Sequence, residues 1–266
     1  MKIISFGDTN YIPYVISGYR NLKLINKHNN FTIFCHEKEM VDKIKSIEPN
    51  CDAKYYSSKY DNITSNNEYV YTGLLQYKKI DILKDCVDEY KKVFYYDCDI
   101  LIFDDFISDV EEMLKKHNLV FKLYRQLNRF NTDEIINIVN SGTVGINKSV
   151  DSDLMFEFFK NKALQFSSPT LNIEEYILTD FYNNHRNTNH CLISDKLNLV
   201  NCHDKIYTYE DIKTLQPKSF HPTYPKKVFE STKDLLTDPI FWKNVDVSKM
   251  YSKIEIARAF NRWFYE

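Results

Sequence analysis

Glycine is scarce in this 266-residue chain, five residues in all, and proline appears only seven times. That scarcity excludes collagen-like repeats, Gly- or Pro-rich low-complexity tracts and long flexible linkers. The six cysteines, Cys35, Cys51, Cys86, Cys98, Cys191 and Cys202, are scattered, with no C-x-x-C pair and no zinc-type spacing. In a chain of this size they read as reduced thiols of a cytoplasmic protein rather than as a secreted disulfide framework. Neither sign of charge dominates: 35 Lys and Arg stand against 37 Asp and Glu, a formal net charge of −2. A nucleic-acid partner, which calls for a strong basic excess, is therefore not expected. No stretch approaches the roughly 20 apolar residues of a membrane span, and the apolar start Met1–Phe6 is too short for a signal peptide. The chain also lacks a G-x-G-x-x-G fingerprint, a P-loop and a G-x-S-x-G elbow, which disfavours dinucleotide oxidoreductases, P-loop NTPases and serine hydrolases of the elbow type.

What the chain does contain is an ordinary globular balance, 43% apolar and 27% charged, arranged as strands alternating with helices. Lys2–Phe6 reads as a buried strand, a helix follows from about Pro13 to Ile25, and Phe31–Cys35 is a second strand. Glu37–Ile47 reads as a helix stopped by Pro49, Ala53–Tyr56 as a third strand, and Gly73–Tyr90 as a helix carrying Leu74, Tyr77, Ile80, Leu83 and Val87. Val93–Tyr96 is a β-branched and aromatic strand that ends at Asp97-Cys98-Asp99. This rhythm predicts an α/β fold with a mixed, mostly parallel central sheet flanked by helices. Further on, Leu119–Leu123 and Thr143–Ile146 read as strands flanking a polar, Asn-rich excursion. Leu154–Leu164 and Ile173–Tyr182 read as helices, and short strands are expected near Cys191 and Leu199. One main domain over residues 1–228 is expected, with 229–266 as a helical extension packed on it through Ile254, Ala257, Phe260 and Phe264.

Ligands of such sheets bind beyond the carboxyl ends of the strands, which places the residues after Phe6 and the pair Asp97 and Asp99 on one rim. In an extended chain side chains i and i+2 point the same way, so both carboxylates can meet one ion. Carboxylates suit a hard cation such as Mg²⁺ or Mn²⁺, which takes remaining ligands from water and phosphates. Asp104 and Asp105 add negative potential nearby. Two sequons, Asn62-Ile63-Thr64 and Asn147-Lys148-Ser149, have no use in a cytoplasmic chain.

The run from Tyr77-Lys78-Lys79 to Val93-Phe94-Tyr95-Tyr96-Asp97-Cys98-Asp99-Ile100 resembles the GT-A glycosyltransferases of the glycogenin and bacterial galactosyltransferase type. Those carry a Lys or Arg on a helix ahead of a "vlYlDaD" strand. Asn140-Ser141-Gly142-Thr143-Val144-Gly145-Ile146-Asn147 is similar to that family's "NSGvmliN" segment. Thr179-Asp180 resembles its "DQ" position, with Phe181 in place of the Gln. Ser219-Phe220-His221 through Lys227 is similar to the closing "HFxGxxK" element, with Tyr224 in place of the Gly. The four motifs keep the family's order and span residues 2–228.

The resemblance implies a GT-A fold, a nucleotide-sugar donor such as UDP-glucose or UDP-galactose, and a glycan, lipid or protein hydroxyl as acceptor. It implies Mn²⁺ or Mg²⁺ held by Asp97, Asp99 and His221. It places Thr9, Asn10 and Tyr11 at the nucleotide, Lys78 (or its neighbour Lys79), Tyr96, Cys98, Ser141 and Gly142 around the donor, and Lys227 on the diphosphate. Asn140 and Asp180 would be the catalytic polar residues. The resemblance leans toward retention of anomeric configuration; an inverting reaction would need a base, for which Asp180 and Glu175 are the candidates. A homodimer is compatible with it. Two rival readings stand beside it: a D-x-D phosphohydrolase, and a non-catalytic nucleotide-sugar-binding protein on the same fold.

Overall fold

The computed structural model describes residues 1–59, 61, 68–102, 104–128, 131–165, 173–200 and 215–221. The first half is built as the alternation predicts: β1 (Lys2–Gly7), α1 (Ile12–Leu24), β2 (Phe31–Cys35), α2 (Lys38–Ile47), β3 (Ala53–Tyr55), α3 (Glu68–Tyr90) and β4 (Lys92–Tyr96). Proline in the first turn opens α1, where its missing N–H costs nothing. Then come β5 (Leu101–Ile102), α4 (Phe106–Met113), β6 (Leu119–Asn128), β7 (Asn131–Asn147), α5 (Val150–Ala163), α6 (Ile173–Asn184), β8 (His190–Leu192), β9 (Asn198–Val200) and β10 (Ser219–His221).

Seven strands form the main sheet in the order β3-β2-β1-β4-β7-β6-β8. β7 is antiparallel to both its neighbours, while the remaining pairs run parallel. The chain therefore reverses its direction of travel across the sheet between β1 and β4, the kind of switch point where open α/β sheets leave a crevice for ligands.

Alternation sorts the strand side chains into two cores. Ile3, Phe31, Ile33, Phe94 and Tyr96 pack with α1, α2 and α4 on one face. Ile4, Phe6, Val93, Tyr95 and Val144 pack with α3, α5 and α6 on the other. Each such aliphatic or aromatic side chain taken fully out of water contributes about 1.5–3 kcal/mol.

Three features differ from or add to the sequence reading. The Asn-rich stretch is largely strand, because β6 and β7 pair antiparallel along their length with register shifts at Phe121/Lys122 and Leu127/Asn128. Asp104 and Asp105 belong to the start of α4: Asp105 caps it by accepting from Ser108 N at 2.9 Å, and Asp104 accepts from Asp105 N at 2.8 Å. Finally β5, β10 and β9 form a small second sheet, β10 antiparallel to β5 and parallel to β9. The expected C-terminal extension, Lys227 and the sequon at Asn62 lie outside the described residues. None of the described helices is long and apolar enough to cross a membrane.

Candidate active site

β4 ends at Tyr96, and its next residues turn: Ile100 N donates to Asp97 O at 3.1 Å. Asp97 and Asp99 are thus brought together by a tight turn, not by strand alternation as the sequence suggests. The backbone of Asp97 is fixed from the other side, its N–H donating to Gly142 O of β7 at 2.9 Å.

β5 follows immediately and pairs Ile102 with Ser219 and Leu101 with Phe220. That register carries His221 back beside the turn. His221 Nε2 lies 3.3 Å from Asp99 Oδ1 and 3.9 Å from Asp97 Oδ2. One ligand atom from each of Asp97, Asp99 and His221 falls within 4.8 Å of the others.

The donor set of two carboxylates and an imidazole fits a divalent cation such as Mn²⁺ or Mg²⁺. A sharper observation supports the fit. Asp99 is buried, and among the described residues its Oδ1 has no hydrogen-bond donor, the nearest cationic group being the His221 imidazole at 3.3 Å. A buried carboxylate oxygen left without a donor costs free energy that a cation would recover.

Lys79 of α3, nearly buried, reaches Asp97 Oδ1 at 3.2 Å, Ser141 Oγ at 3.4 Å and Glu174 Oε1 of α6 at 2.9 Å, with its Nζ 4.4 Å from the Tyr95 ring centre. Tyr95 OH donates to Asp97 Oδ1 at 2.5 Å. Burial works against the charged form of Asp97, but Lys79 and then His221 outweigh it and hold the carboxyl at about 2. Burial likewise disfavours the imidazolium of His221, yet Asp99 and then Asp97 raise its pKa above the ordinary value. Glu174 accepts from Ser141 Oγ at 2.6 Å, while its buried Oε2 has no partner among the described residues.

Gly142 supplies the floor. A Cβ built there would lie 2.5 Å from His221 Cε1 and 2.6 Å from Asp97 Oδ2, so only glycine lets those two side chains close over β7. Asn140 lies against His221, its Oδ1 3.2 Å from His221 Nδ1.

Other expected residues are placed differently. Lys78 is turned to Asp61 Oδ1 at 2.6 Å and His36 Nδ1 at 3.1 Å, so it is Lys79 that reaches the Asp97 carboxylate. Tyr96 points into the opposite core, stacked 6.3 Å from Phe94, and Cys98 Sγ donates to Phe6 O at 3.4 Å with its thiol pushed up by burial. Neither side chain joins the cluster. Thr9, Asn10 and Tyr11 form a short 3-10 turn just past β1, at the same rim. There Thr9 N donates to Glu37 Oε2 at 3.1 Å, and Tyr11 is half-buried.

Asp180 pairs with Lys162 Nζ at 2.7 Å and accepts from Asn184 Nδ2 at 2.6 Å. The acids that α6 turns toward the site are Glu174 and Glu175, in its first turn. Glu174 has no place in the sequence reading. The signal available was an acidic doublet opening a helix, where the helix dipole favours it.

No known family profile matches the sequence, and no curated protein does. Solved structures do. Galactosyltransferase LgtC, solved with donor and acceptor sugar analogues, superposes with a TM-score of 0.53 at 13% identity over 89% of this chain and 95% of LgtC. The glycosyltransferase GlyE of Streptococcus pneumoniae TIGR4 gives 0.54 at 15% identity, over 98% of this chain and 64% of GlyE. Mouse xyloside xylosyltransferase 1 gives 0.51 at 9% identity, over 84% and 97%. At these identities the likeness speaks to architecture alone: the chain has the GT-A fold that these solved structures share.

Proposed function

We propose that this protein is a metal-dependent glycosyltransferase that moves a hexose from a nucleoside-diphosphate sugar, UDP-glucose or UDP-galactose, to a hydroxyl of a glycan, lipid or protein. The observation that carries the reading is the Asp97–Asp99–His221 cluster, with a buried Asp99 oxygen that has no hydrogen-bond donor among the described residues. It sits at the switch-point rim of a fold shared with LgtC, itself solved with donor and acceptor analogues. A phosphohydrolase using a D-x-D nucleophile would place its acid pair after the first strand, whereas here it follows β4.

In the reaction the bond from the sugar's anomeric carbon to the diphosphate oxygen breaks, and a new one to the acceptor oxygen forms. The acceptor proton passes to the departing diphosphate, an arrangement that retains configuration and requires no separate protein base. When bound, Mn²⁺ or Mg²⁺ supplies Lewis-acid stabilisation of the charge on the leaving diphosphate. Asp97 and Asp99 would hold the cation through carboxylate oxygens, His221 through Nε2. Lys79 and Tyr95 keep Asp97 ionised and fixed, and Lys227 is assigned to the diphosphate. The Oε2 of Glu174, which has no partner among the described residues, is an acceptor suited to a sugar hydroxyl. The 3-10 turn Thr9–Tyr11, next to the switch point, is assigned to the nucleotide, with Tyr11 available to stack on the base. The free cysteines among the described residues agree with a reducing compartment, and we assign the protein to the cytoplasm.

The test is a screen of UDP- and GDP-sugars for Mn²⁺-dependent donor hydrolysis, which needs no known acceptor, with product anomers read by NMR. We expect turnover of a UDP-hexose, release of the retained anomer, and loss in Asp99→Asn beyond the roughly 100-fold upper range seen for outer-sphere changes at metal sites. Turnover of phosphate monoesters without any sugar nucleotide, or full activity in Asp99→Asn, would refute the reading.

A further inference from the structure

Asn140 of β7 offers its side-chain amide to two partners at once. Its Oδ1 lies 3.2 Å from His221 Nδ1, and its Nδ2 donates to Glu175 Oε1 of α6 at 3.4 Å. Glu175 is anchored in turn by Tyr124 of β6, whose hydroxyl donates to Oε2 at 2.8 Å. The elements β6, α6, β7 and β10 thus contribute one residue each to an unbroken chain that ends at the cluster.

The chemistry of each link fixes the next. Once Glu175 is ionised its carboxylate only accepts, so the Asn140 NH₂ must face Glu175 and its carbonyl must face the imidazole. A carbonyl oxygen also only accepts, so the proton of a neutral His221 must sit on Nδ1. That leaves the lone pair on Nε2, the nitrogen 3.3 Å from Asp99 Oδ1. An imidazole without such a partner is free to take either tautomer, and with the proton on Nε2 it cannot ligate there.

We infer that Asn140 and Glu175 are positioning residues which hold His221 in its Nδ1–H tautomer, so that Nε2 is the nitrogen offered to the cation. This rests on the metal reading above for its purpose, though not for its geometry. It also gives Asn140 a role other than touching the substrate. Ligating histidines commonly donate their second ring nitrogen to an oxygen acceptor, and loss of that acceptor typically weakens metal binding about 10- to 100-fold.

The experiment uses the full chain labelled with ¹⁵N, stripped of metal and held at a pH where His221 is neutral and Glu175 ionised. Two-bond ¹H–¹⁵N correlations report the tautomer, and Mn²⁺ titration reports affinity. We expect the Nδ1–H form in the wild type, and a mixture in Asn140→Ala with Mn²⁺ binding weakened about 10- to 100-fold. Asn140→Asp, which keeps an oxygen acceptor facing Nδ1, should retain the tautomer. Glu175→Ala leaves the His221–Asn140 pair intact but frees the amide to turn, and should also give a mixture; it carries the test if Asn140→Ala fails to fold. An Nε2–H wild type, or a wild-type tautomer in both Asn140→Ala and Glu175→Ala, overturns the inference. A wild type that shows Nδ1–H yet binds no Mn²⁺ would instead sink the metal reading and leave the tautomer assignment standing.

Discussion

Successive side chains of β4 leave the sheet on opposite faces, so Tyr95 and Tyr96 inhabit different cores although the sequence makes them look equivalent. Tyr95 faces α3 and α6, and its hydroxyl holds Asp97; Tyr96 faces α1 and α4, stacked with Phe94 and near Phe31. We therefore expect Tyr95→Phe to weaken Mn²⁺ binding by up to about 10-fold, the low end for an outer-sphere contact, and Tyr96→Phe to leave it unchanged, both read by titration. Equal effects from the two would contradict the facing described here. The same limit explains which single residues were legible. Asp97, Asp99 and His221 announce themselves by residue type and order. Choosing between Lys78 and Lys79 depends on the phase of α3, and both are buried, so apolar periodicity could not separate them. Glu174 was hidden because its role exists only through the contact of α6 with Lys79 and Ser141.

At the scale of elements, β7 does most to shape the site. Its polar residues ahead of Thr143 suggested an excursion because high polarity without a clear apolar period is the usual sign of a loop. Here they are satisfied internally instead: Asn140 by His221 and Glu175, and Thr143 by Asn198 Nδ2 at 2.8 Å. Between Asn140, paired with Lys122, and Val144, paired with Phe121, the strand bulges away from β6 while Thr143 stays opposite Tyr96. Gly142 sits in that bulge, and it should not tolerate a methyl group. Gly142→Ala is expected to cost about 1–3 kcal/mol through overpacking and to displace His221 or Asp97, since neither can retreat without leaving the cluster. Chemical denaturation measures the first effect and Mn²⁺ titration the second. A variant as stable and as metal-competent as the wild type would show that the contact is not close. The elements of the first half were legible to within a few residues because each pairs or packs with its sequence neighbours. The sheet β5-β10-β9 was not, because it joins segments of two or three residues from positions near 101, 199 and 220, too short to show a period.

For the whole molecule, the site's electrostatics contribute to how metal-free stability depends on pH. Burial raises Glu175 to about 7 from an ordinary 4.5, so between those values the folded chain keeps a proton that the unfolded chain has released. Stability from that group is complete below the ordinary value and is lost as pH rises through the window. His221, raised by Asp99 against the opposing effect of burial, acts in the same direction. Asp97 opposes them: lowered to about 2 from 3.8 by Lys79 and His221 despite burial, it contributes stability that is lost only as pH falls through that range. His36, lowered by burial and then by Lys78, pulls the other way; with chelator present, the melting temperature should decline from pH 5 to pH 8 on the balance of these groups, and Glu175→Gln, which has no carboxyl to titrate, should decline less. Adding Mn²⁺ should raise the melting temperature more at pH 8 than at pH 5, because a cation must displace the Nε2 proton of His221 and ligands that bind only the folded state stabilise it in proportion to their affinity. A wild-type profile that is flat across this range, or as steep in Glu175→Gln, would mean that Glu175 is solvated like an ordinary surface acid and that the chain from Tyr124 to the cluster is not closed to water.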